Sequence, residues 1–320
     1  MDFISKIGLL IDRKYSIGPI LRQGIIVIIR SWNDDLGEEN IVKKVSAVII
    51  GLLMLWLSCQ GAYAQTGNDV LAQLPSNLEL REDGPQKYSF VCDYFYLDPQ
   101  GNLTGKDRIS AVYTRALPDG KMRWNDVRIA QAKEFEAPFP AGELQQYMEG
   151  FTYRISSGPE ILRNEFFPGF PAGEMRTKNL IWDTFMFEMF GWDYLDKLQL
   201  NQVYSPQSGP EDVPLAGAGT FQNHRIELTW IGISEMNGER CALIRYQAFF
   251  NKLAITTEQM SMKGRSHYWG EIWVSLQDKQ IEQATLDEDV LMELTLSGQA
   301  EKMIVNVFRK AAFVKLEPTE

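Results

Sequence analysis

Apolar and polar residues alternate with a period of two over most of the chain beyond residue 78, and turn-forming residues interrupt the alternation about every 8 to 12 residues. Between two such runs, Asn237-Gly238 is typical of a two-residue β-hairpin. The alternation predicts strands over 87–97, 106–116, 122–132, 220–236, 239–250, 253–262, 266–276, 280–286, 290–296 and 303–316. The predicted fold is mainly β: a large antiparallel curved sheet, as a half-barrel or barrel meander, with a short helical aromatic insert.

Residues 133–215 form this insert and are rich in Pro, Gly and aromatic residues. Within the insert, the pattern predicts a helix over 178–190 that has Thr177 as its N-cap and ends at Gly191. A shorter helix is predicted over 142–148. Because apolar side chains surround most of the longer helix, we expect it to be buried on more than one side.

Aromatic residues are concentrated in and around the longer helix. Two interpretations are open: these side chains line an apolar ligand cavity, or they fill the inside of the sheet as a solid plug. The candidate ligand-lining residues are Phe166, Phe167, Phe170, Trp182, Phe185, Phe187 and Trp192.

Residues 42–64 have the pattern of a secretory signal peptide. Two lysines precede an apolar run at 45–57, and Ala62-Tyr63-Ala64 is a cleavage site of small residues. At about 1.5 Å per residue the run is roughly 20 Å long, short of the roughly 30 Å apolar core of a bilayer. An uncleaved membrane anchor is the alternative to a cleaved signal peptide. Because a signal peptide begins near the first residue, residues 1–41 are predicted to be an upstream extension from a wrongly assigned start.

Cleavage would leave residues 65–77 as a lead-in and residues 78–320 as a single antiparallel β domain that carries the insert. Cys59 follows the apolar run and a small residue, which offers the alternative of a lipoprotein signal. The predicted location is periplasmic or secreted, with no transmembrane span in the mature chain. An envelope protein is a candidate partner.

Two cysteines remain after cleavage, Cys92 and Cys241. An oxidising compartment permits a disulfide between them, provided that their Cα atoms are no more than about 7 Å apart. Two buried, unpaired thiols are the alternative. A catalytic thiol is disfavoured, because both cysteines lie in apolar strands.

Charge and motif content narrow the classes of function. The 320 residues include 32 Lys and Arg against 42 Asp and Glu, a net charge of −10, so we expect no nucleic-acid partner. The two histidines and the absence of phosphate-loop, dinucleotide-binding and hydrolase motifs predict no cofactor, no metal site and no identifiable catalytic residue. His267 and Glu271 would lie about 13 Å apart along a strand, too far apart for one metal ion. Asp287-Glu288-Asp289 lacks the glycine of a calcium loop and is predicted to be a solvated turn.

The strands at 218–316, together with the helix at 178–190, resemble the half-barrel proteins of the bacterial envelope that carry lipoproteins or lipids. The resemblance is architectural and matches no residue motif, so it implies a fold and an apolar ligand but no functional residues. The stretches RSHYWGEIWVSL and VNVFRKAAF also resemble a bacterial secreted family, for which no activity is implied.

Taken together, these patterns predict an exported, non-catalytic envelope protein that binds an apolar, lipid-like ligand in a concave sheet under the aromatic helix. A structural or interaction protein with a solid core is the alternative. A hydrolase has the least support.

Overall fold

A computed structural model describes residues 84–154, 160–171, 174–206, 212–223, 225–258, 260–298 and 301–317. The predicted upstream extension (1–41), the signal peptide with Cys59 (42–64) and the lead-in (65–77) lie outside the described residues, so these three predictions stay untested. Among the described residues, no helix combines the length and the apolarity needed to cross a bilayer.

Thirteen strands among the described residues join into one sheet, and all of their pairings are antiparallel. In chain order they are β1 (Gln86–Leu97), β2 (Leu103–Arg115), β3 (Met122–Ala132), β4 (Glu143–Leu144), β5 (Phe151–Tyr153), β6 (Val203–Tyr204), β7 (Asp212–Pro214), β8 (Gly219–Gln222), β9 (Ile226–Met236), β10 (Glu239–Thr256), β11 (Met260–Ser275), β12 (Ile281–Leu296) and β13 (Lys302–Lys315). The prediction of a mainly β, antiparallel fold is confirmed.

The order across the sheet is β4-β3-β2-β1-β13-β12-β11-β10-β8-β7. In addition, β5 pairs with β3, β9 pairs with β10, and β6 pairs with β9. The sheet is open, because the strands at the two ends of this order do not pair with each other. The first and last long strands, β1 and β13, are hydrogen-bonded neighbours, and their pairing joins the N-terminal meander to the C-terminal one.

One α-helix among the described residues, α1 (Arg176–Glu188), packs on one face of the sheet and continues as a π-helical turn at Met189–Asp193. We call the face that α1 contacts the inner face. Phe187 is fully buried there, with its ring centre 5.9 Å from that of Phe313 and 6.3 Å from that of Phe90. Burying one such ring stabilises the fold by about 1.5–3 kcal/mol.

The C-terminal end of α1 is tied to the sheet by a buried polar contact. Tyr113 on β2 donates a hydrogen bond of 2.8 Å to Oε1 of Glu188, and the Arg115 Nε lies 3.4 Å from the same oxygen. The Arg115 guanidinium stacks 3.8 Å from the Trp192 ring centre in the π-helical turn. Since these groups are buried and paired, they hold the helix in one register on the inner face.

The predicted ends of the helix were wrong. Thr177 is not the N-cap but lies inside α1 and is fully buried, while Met175 occupies the cap position. Gly191 does not end the helix; it lies within the π-helical turn. A Cβ at Gly191 would lie 3.1 Å from the Ile281 side chain, so the glycine permits close packing of the turn on β12.

The shorter helix predicted at 142–148 is replaced by β4 and a single 3-10 turn at Gln146–Met148.

Several predicted strand ends were also wrong. The predicted breaks at 251–252, 263–265 and 287–289 lie inside β10, β11 and β12. In β10 a bulge between Ala248 and Asn251 takes the place of the break. The predicted strand 220–236 is two strands, and β8 and β9 pair with opposite ends of β10.

The acidic stretch 287–289 is not a solvated turn, because its charges find partners on neighbouring strands. Asp289 pairs with Arg265 on β11 at 2.9 Å, and Asp287 lies 3.8 Å from Lys310 on β13. Glu288 has the opposite orientation and pairs with Arg309 on the inner face. Cross-strand ion pairs of this kind allow three consecutive acidic residues to occupy the middle of a strand.

Candidate functional site

A cavity of about 450 Å³ lies between α1 and the inner face of the sheet and is partly open to solvent. Its size falls within the range of about 300–1,000 Å³ that is typical of small-molecule sites. Most of its lining is apolar. From the sheet and its connections come Leu162, Val213, Leu215, Phe221, Leu253, Ile255, Met262, Leu286, Val290, Met292 and Val307, and from the helical segment come Met175, Trp182, Phe185, Met186, Met189 and Phe190.

The periodicities of strand and helix place these side chains on the cavity. In β12, Leu286, Glu288, Val290 and Met292 lie at alternate positions and share the inner face. In α1, the lining residues Trp182 and Asp183 lie three and four residues after Asn179, and Met186 lies four and three residues after them, so these residues share one side of the helix. Phe187, four residues after Asp183, also faces the sheet, and it packs on Phe313 in the solid part of the core.

Arg309 on β13 is the centre of the polar part of the lining. It lies opposite Tyr94 on β1 and opposite Glu288 on β12 in the sheet register. Nη1 donates a hydrogen bond to Glu288, and Nη2 donates one to Asp183 on α1. The second Glu288 oxygen accepts a hydrogen bond of 2.6 Å from the Ser266 hydroxyl. We call Asp183, Glu288 and Arg309 the buried triad.

Burial and mutual charge set the protonation of the buried triad. Burial raises the pKa of Asp183 to about 6; the Arg309 guanidinium opposes this rise, and the Glu288 carboxylate adds to it. For Arg309, burial acts to lower the pKa, but its anionic neighbours outweigh burial and hold the pKa well above the ordinary value. One guanidinium therefore faces two carboxyl groups, and that of Asp183 is ionised above about pH 6.

A second arginine lies at the N-terminal end of α1. Arg176 lines the cavity, and it donates hydrogen bonds of 2.8 Å to Asp107 on β2 and 2.8 Å to Glu174. The Tyr96 hydroxyl donates a hydrogen bond of 2.9 Å to the same Asp107 oxygen. These side chains form a polar rim next to the apolar lining.

The predicted ligand-lining residues separate into three groups in the structure. Trp182 and Phe185 line the cavity, and the Trp182 indole donates a hydrogen bond of 3.0 Å to the Ile161 carbonyl. Phe187 lies in the solid core outside the lining. Trp192 lies outside it as well, and its indole donates to the Lys279 carbonyl at 2.6 Å.

Phe166, Phe167 and Phe170 also lie outside the cavity lining. They form a separate aromatic cluster with Phe151, whose ring centre lies 6.1 Å from that of Phe166 and 5.2 Å from that of Phe170. The rings of Phe167 and Trp182 meet edge to face, with 6.1 Å between their centres. The cluster therefore packs against Trp182, which lines the cavity.

Cys92 and Cys241 are both buried free thiols. They lie on β1 and β10, and three strands separate β1 from β10 in the sheet order. The structure thus contains two buried, unpaired thiols, as in the second of the two predicted alternatives, and not a disulfide. Burial raises the pKa of the Cys92 thiol to about 12, which keeps this group protonated next to the buried triad.

One cluster of carboxylates among the described residues has the spacing of a metal site. Oxygens of Glu239, Asp278 and Glu282 lie within 4.8 Å of one another. The Lys315 Nζ lies 2.5 Å from Glu282 and 3.9 Å from Asp278, so an ammonium group already supplies the positive charge at this point. The cluster is an ion-pair network between strand ends, away from the cavity lining.

The polar part of the cavity was not among the predicted site residues. Arg309 belongs to the alternating series Val307, Arg309, Ala311 and Phe313, whose other members are apolar. Glu288 has the same position in the series of β12. A charged residue at an inward position of an otherwise apolar series is a signal that the sequence contains, and such a residue is expected to be paired or functional.

No protein-family model matches the chain, and no curated protein matches it in sequence. A solved structure described as lipid-protein interactions in lipovitellin is similar to this chain with a TM-score of 0.31 and 10% sequence identity. The match covers 73% of this chain and 25% of that protein, so the chain spans a quarter of that protein's length. A similarity at this level transfers no function, and the cavity itself must support any functional conclusion.

Proposed function

We propose that this protein binds an apolar, lipid-like small molecule in the cavity between α1 and the inner face, after export directed by residues 42–64. The observation that carries the proposal is the cavity of about 450 Å³ with a mainly apolar lining. Protein interiors are close-packed, and voids larger than a water molecule are few. An apolar space about three times as large as the engineered cavity of about 150 Å³ that binds benzene is therefore unlike a packing defect.

The division of the inner face supports the same proposal. In one part of the space between α1 and the sheet, the rings of Phe187, Phe90 and Phe313 are fully buried and pack on one another. In another part of that space, Trp182, Phe185 and the inward residues of β12 line the cavity. A structural protein with a solidly filled sheet would be packed along the whole contact between the helix and the sheet.

A cavity-filling substitution tests the site of binding. Replacing Val290 by Trp places an indole on the cavity side of β12, whereas the control Leu291→Trp changes the next residue, on the outer face of the same strand. Titration with the neutral fluorescent probe N-phenylnaphthylamine should show at least about tenfold weaker binding to V290W than to L291W.

A folded V290W that binds the probe as tightly as the wild type would refute binding in this cavity. Circular dichroism establishes whether each variant is folded. If V290W does not fold, Met262→Trp, at a half-buried position of the same lining, makes the same test. Native mass spectrometry of protein isolated from its natural source should in addition show a bound apolar molecule.

Export is tested separately. N-terminal sequencing of the protein recovered from the cell envelope should begin at Gln65, or at a lipid-modified Cys59 if the lipoprotein alternative is correct. Recovery of an exported chain that still carries residues 1–41 would contradict the proposed leader.

A further inference from the structure

Each of the two arginines in the cavity lining is shared by two carboxylates. Arg309 donates one hydrogen bond to Asp183 and one to Glu288. Arg176 donates to Asp107 through Nη1 and to Glu174 through Nη2, both at 2.8 Å. Both terminal nitrogens of each guanidinium are therefore already engaged with carboxylate groups of the protein.

This pairing leaves an excess of negative charge at the cavity. The charged residues of the lining are Asp183, Glu288, Arg176 and Arg309, and their formal charges balance. The excess arises because Arg176 is paired with two further carboxylates next to the lining, Asp107 and Glu174, so that four carboxylates face two guanidinium groups. The nearest further cation on α1, Lys178, lies outside the lining with its Nζ 5.3 Å from the Phe167 ring centre. An anionic head group would thus meet two engaged guanidinium groups and the carboxylates that engage them.

The burial of the triad strengthens this effect. Asp183 is 8% exposed and Arg309 is 7% exposed, so water screens their charges only weakly. A carboxylate accepts hydrogen bonds at about four positions, and the arginine and Ser266 hydrogen bonds to Glu288 leave acceptor capacity for a further donor. An ammonium group has three such donors and the complementary charge.

We propose, building on the function proposed above, that the ligand is a long-chain amphiphile with a primary ammonium head, bound against Asp183 and Glu288 with its chain along Val290, Met292 and Val307. The cavity discriminates against the same chain with a carboxylate head. A long-chain alcohol, which donates one hydrogen bond without charge, binds with intermediate affinity.

Competition between matched ligands tests the proposal. Dodecylamine, dodecanol and dodecanoate share one chain and differ only in the head group. Each is titrated at pH 7.5, below micelle formation, against the wild-type protein loaded with N-phenylnaphthylamine. Dodecylamine should displace the probe at a concentration at least about tenfold lower than dodecanoate, with dodecanol between them. Equal or tighter binding of dodecanoate would overturn the assignment of the head group while leaving apolar binding in place.

Failure of all three ligands to displace the probe would instead overturn the proposed function, and this inference with it. The two failures are therefore distinguishable. Because the chain is acidic overall, with a net charge of −10, non-specific attraction of the amine needs its own control.

Substitution within one strand provides that control. Glu288→Gln removes a charge on the inner face, and Asp289→Asn removes the charge of the next residue, which pairs with Arg265 outside the lining. E288Q should reduce the preference for dodecylamine over dodecanoate to less than about threefold, whereas D289N should keep the wild-type ratio. An unchanged ratio in a folded E288Q, or an equal reduction in both variants, would show that the buried triad does not select the head group.

Discussion

Replacing Asp183 by Asn should change how stability depends on pH. In the folded protein, burial raises the pKa of Asp183 to about 6, compared with 3.8 for an unperturbed Asp. The folded state therefore binds more protons than the unfolded state between these two pH values, and the stability of the wild type falls as pH rises from about 4 to about 6. At about 1.4 kcal/mol per pKa unit, the loss attributable to this group is about 3 kcal/mol.

The D183N variant lacks this titration and keeps one carboxylate, Glu288, for the Arg309 guanidinium. Its free energy of unfolding should equal that of the wild type near pH 4 and exceed it by about 3 kcal/mol at pH 7.5. The difference between the two proteins cancels the contributions of all other titrating groups, which occur in both. Urea unfolding followed by tryptophan fluorescence, repeated from pH 4 to pH 8, measures this difference.

Asp289→Asn is the matched control, because Asp289 pairs with Arg265 outside the cavity lining and is about one-third exposed. Its curve should run parallel to that of the wild type, within about 0.5 kcal/mol. If the D183N and wild-type curves are parallel as well, burial does not raise the pKa of Asp183, and the reasoning is refuted. A D183N protein that is less stable than the wild type at pH 7.5 would likewise refute the reasoning.

Three further predictions concern the stability of the fold, each measured by urea unfolding at pH 7. Arg309→Met should destabilise the protein by about 3–5 kcal/mol, because it leaves buried carboxylates without a cation; a loss under 1 kcal/mol would contradict the pairing. Phe187→Ala should lower the free energy of unfolding by about 3–5 kcal/mol, because the Phe187 ring is fully buried. Phe250→Ala, at a 74% exposed position, should change it by no more than about 0.5 kcal/mol. Similar losses of stability in the two variants would argue against the packing of α1 on the sheet. Gly270→Ala should cost about 1–3 kcal/mol, since its Cβ would lie 2.0 Å from the Thr285 carbonyl oxygen, and a neutral result would show that the strands separate easily at this point.

The strands were largely predictable because their signal is local. The predicted run 122–132 coincides with β3, and the helix predicted at 178–190 differs from α1 by two residues at each end. Period-two alternation with turn residues specifies a half-buried strand whatever its neighbours are. The errors in the strand ends occurred where a local turn signal competed with strand pairing. At 287–289 the acidic residues indicate a turn, but Arg265 and Arg309 on neighbouring strands neutralise them within β12.

The candidate site was predictable only in part. A cluster of aromatic residues signals that a helix is buried, and Trp182 and Phe185 do line the cavity. Whether an aromatic ring fills space or borders it depends on the volume between two elements, which no spacing along the chain encodes. Phe187 lies only two residues beyond Phe185, yet it points into the solid core.

Local periodicity thus specifies a set of antiparallel strands and one buried helix from the amino-acid order alone, because side-chain direction repeats along a strand or helix wherever it packs. Long-range pairing specifies the rest. Asp183 and Arg309 are 126 residues apart, and they meet because β1 pairs with β13 and the helix contacts residues of both strands. The cavity and its charge balance exist only once β1 and β13 have paired and the helix has packed on them, since they are properties of the space between elements rather than of any one segment.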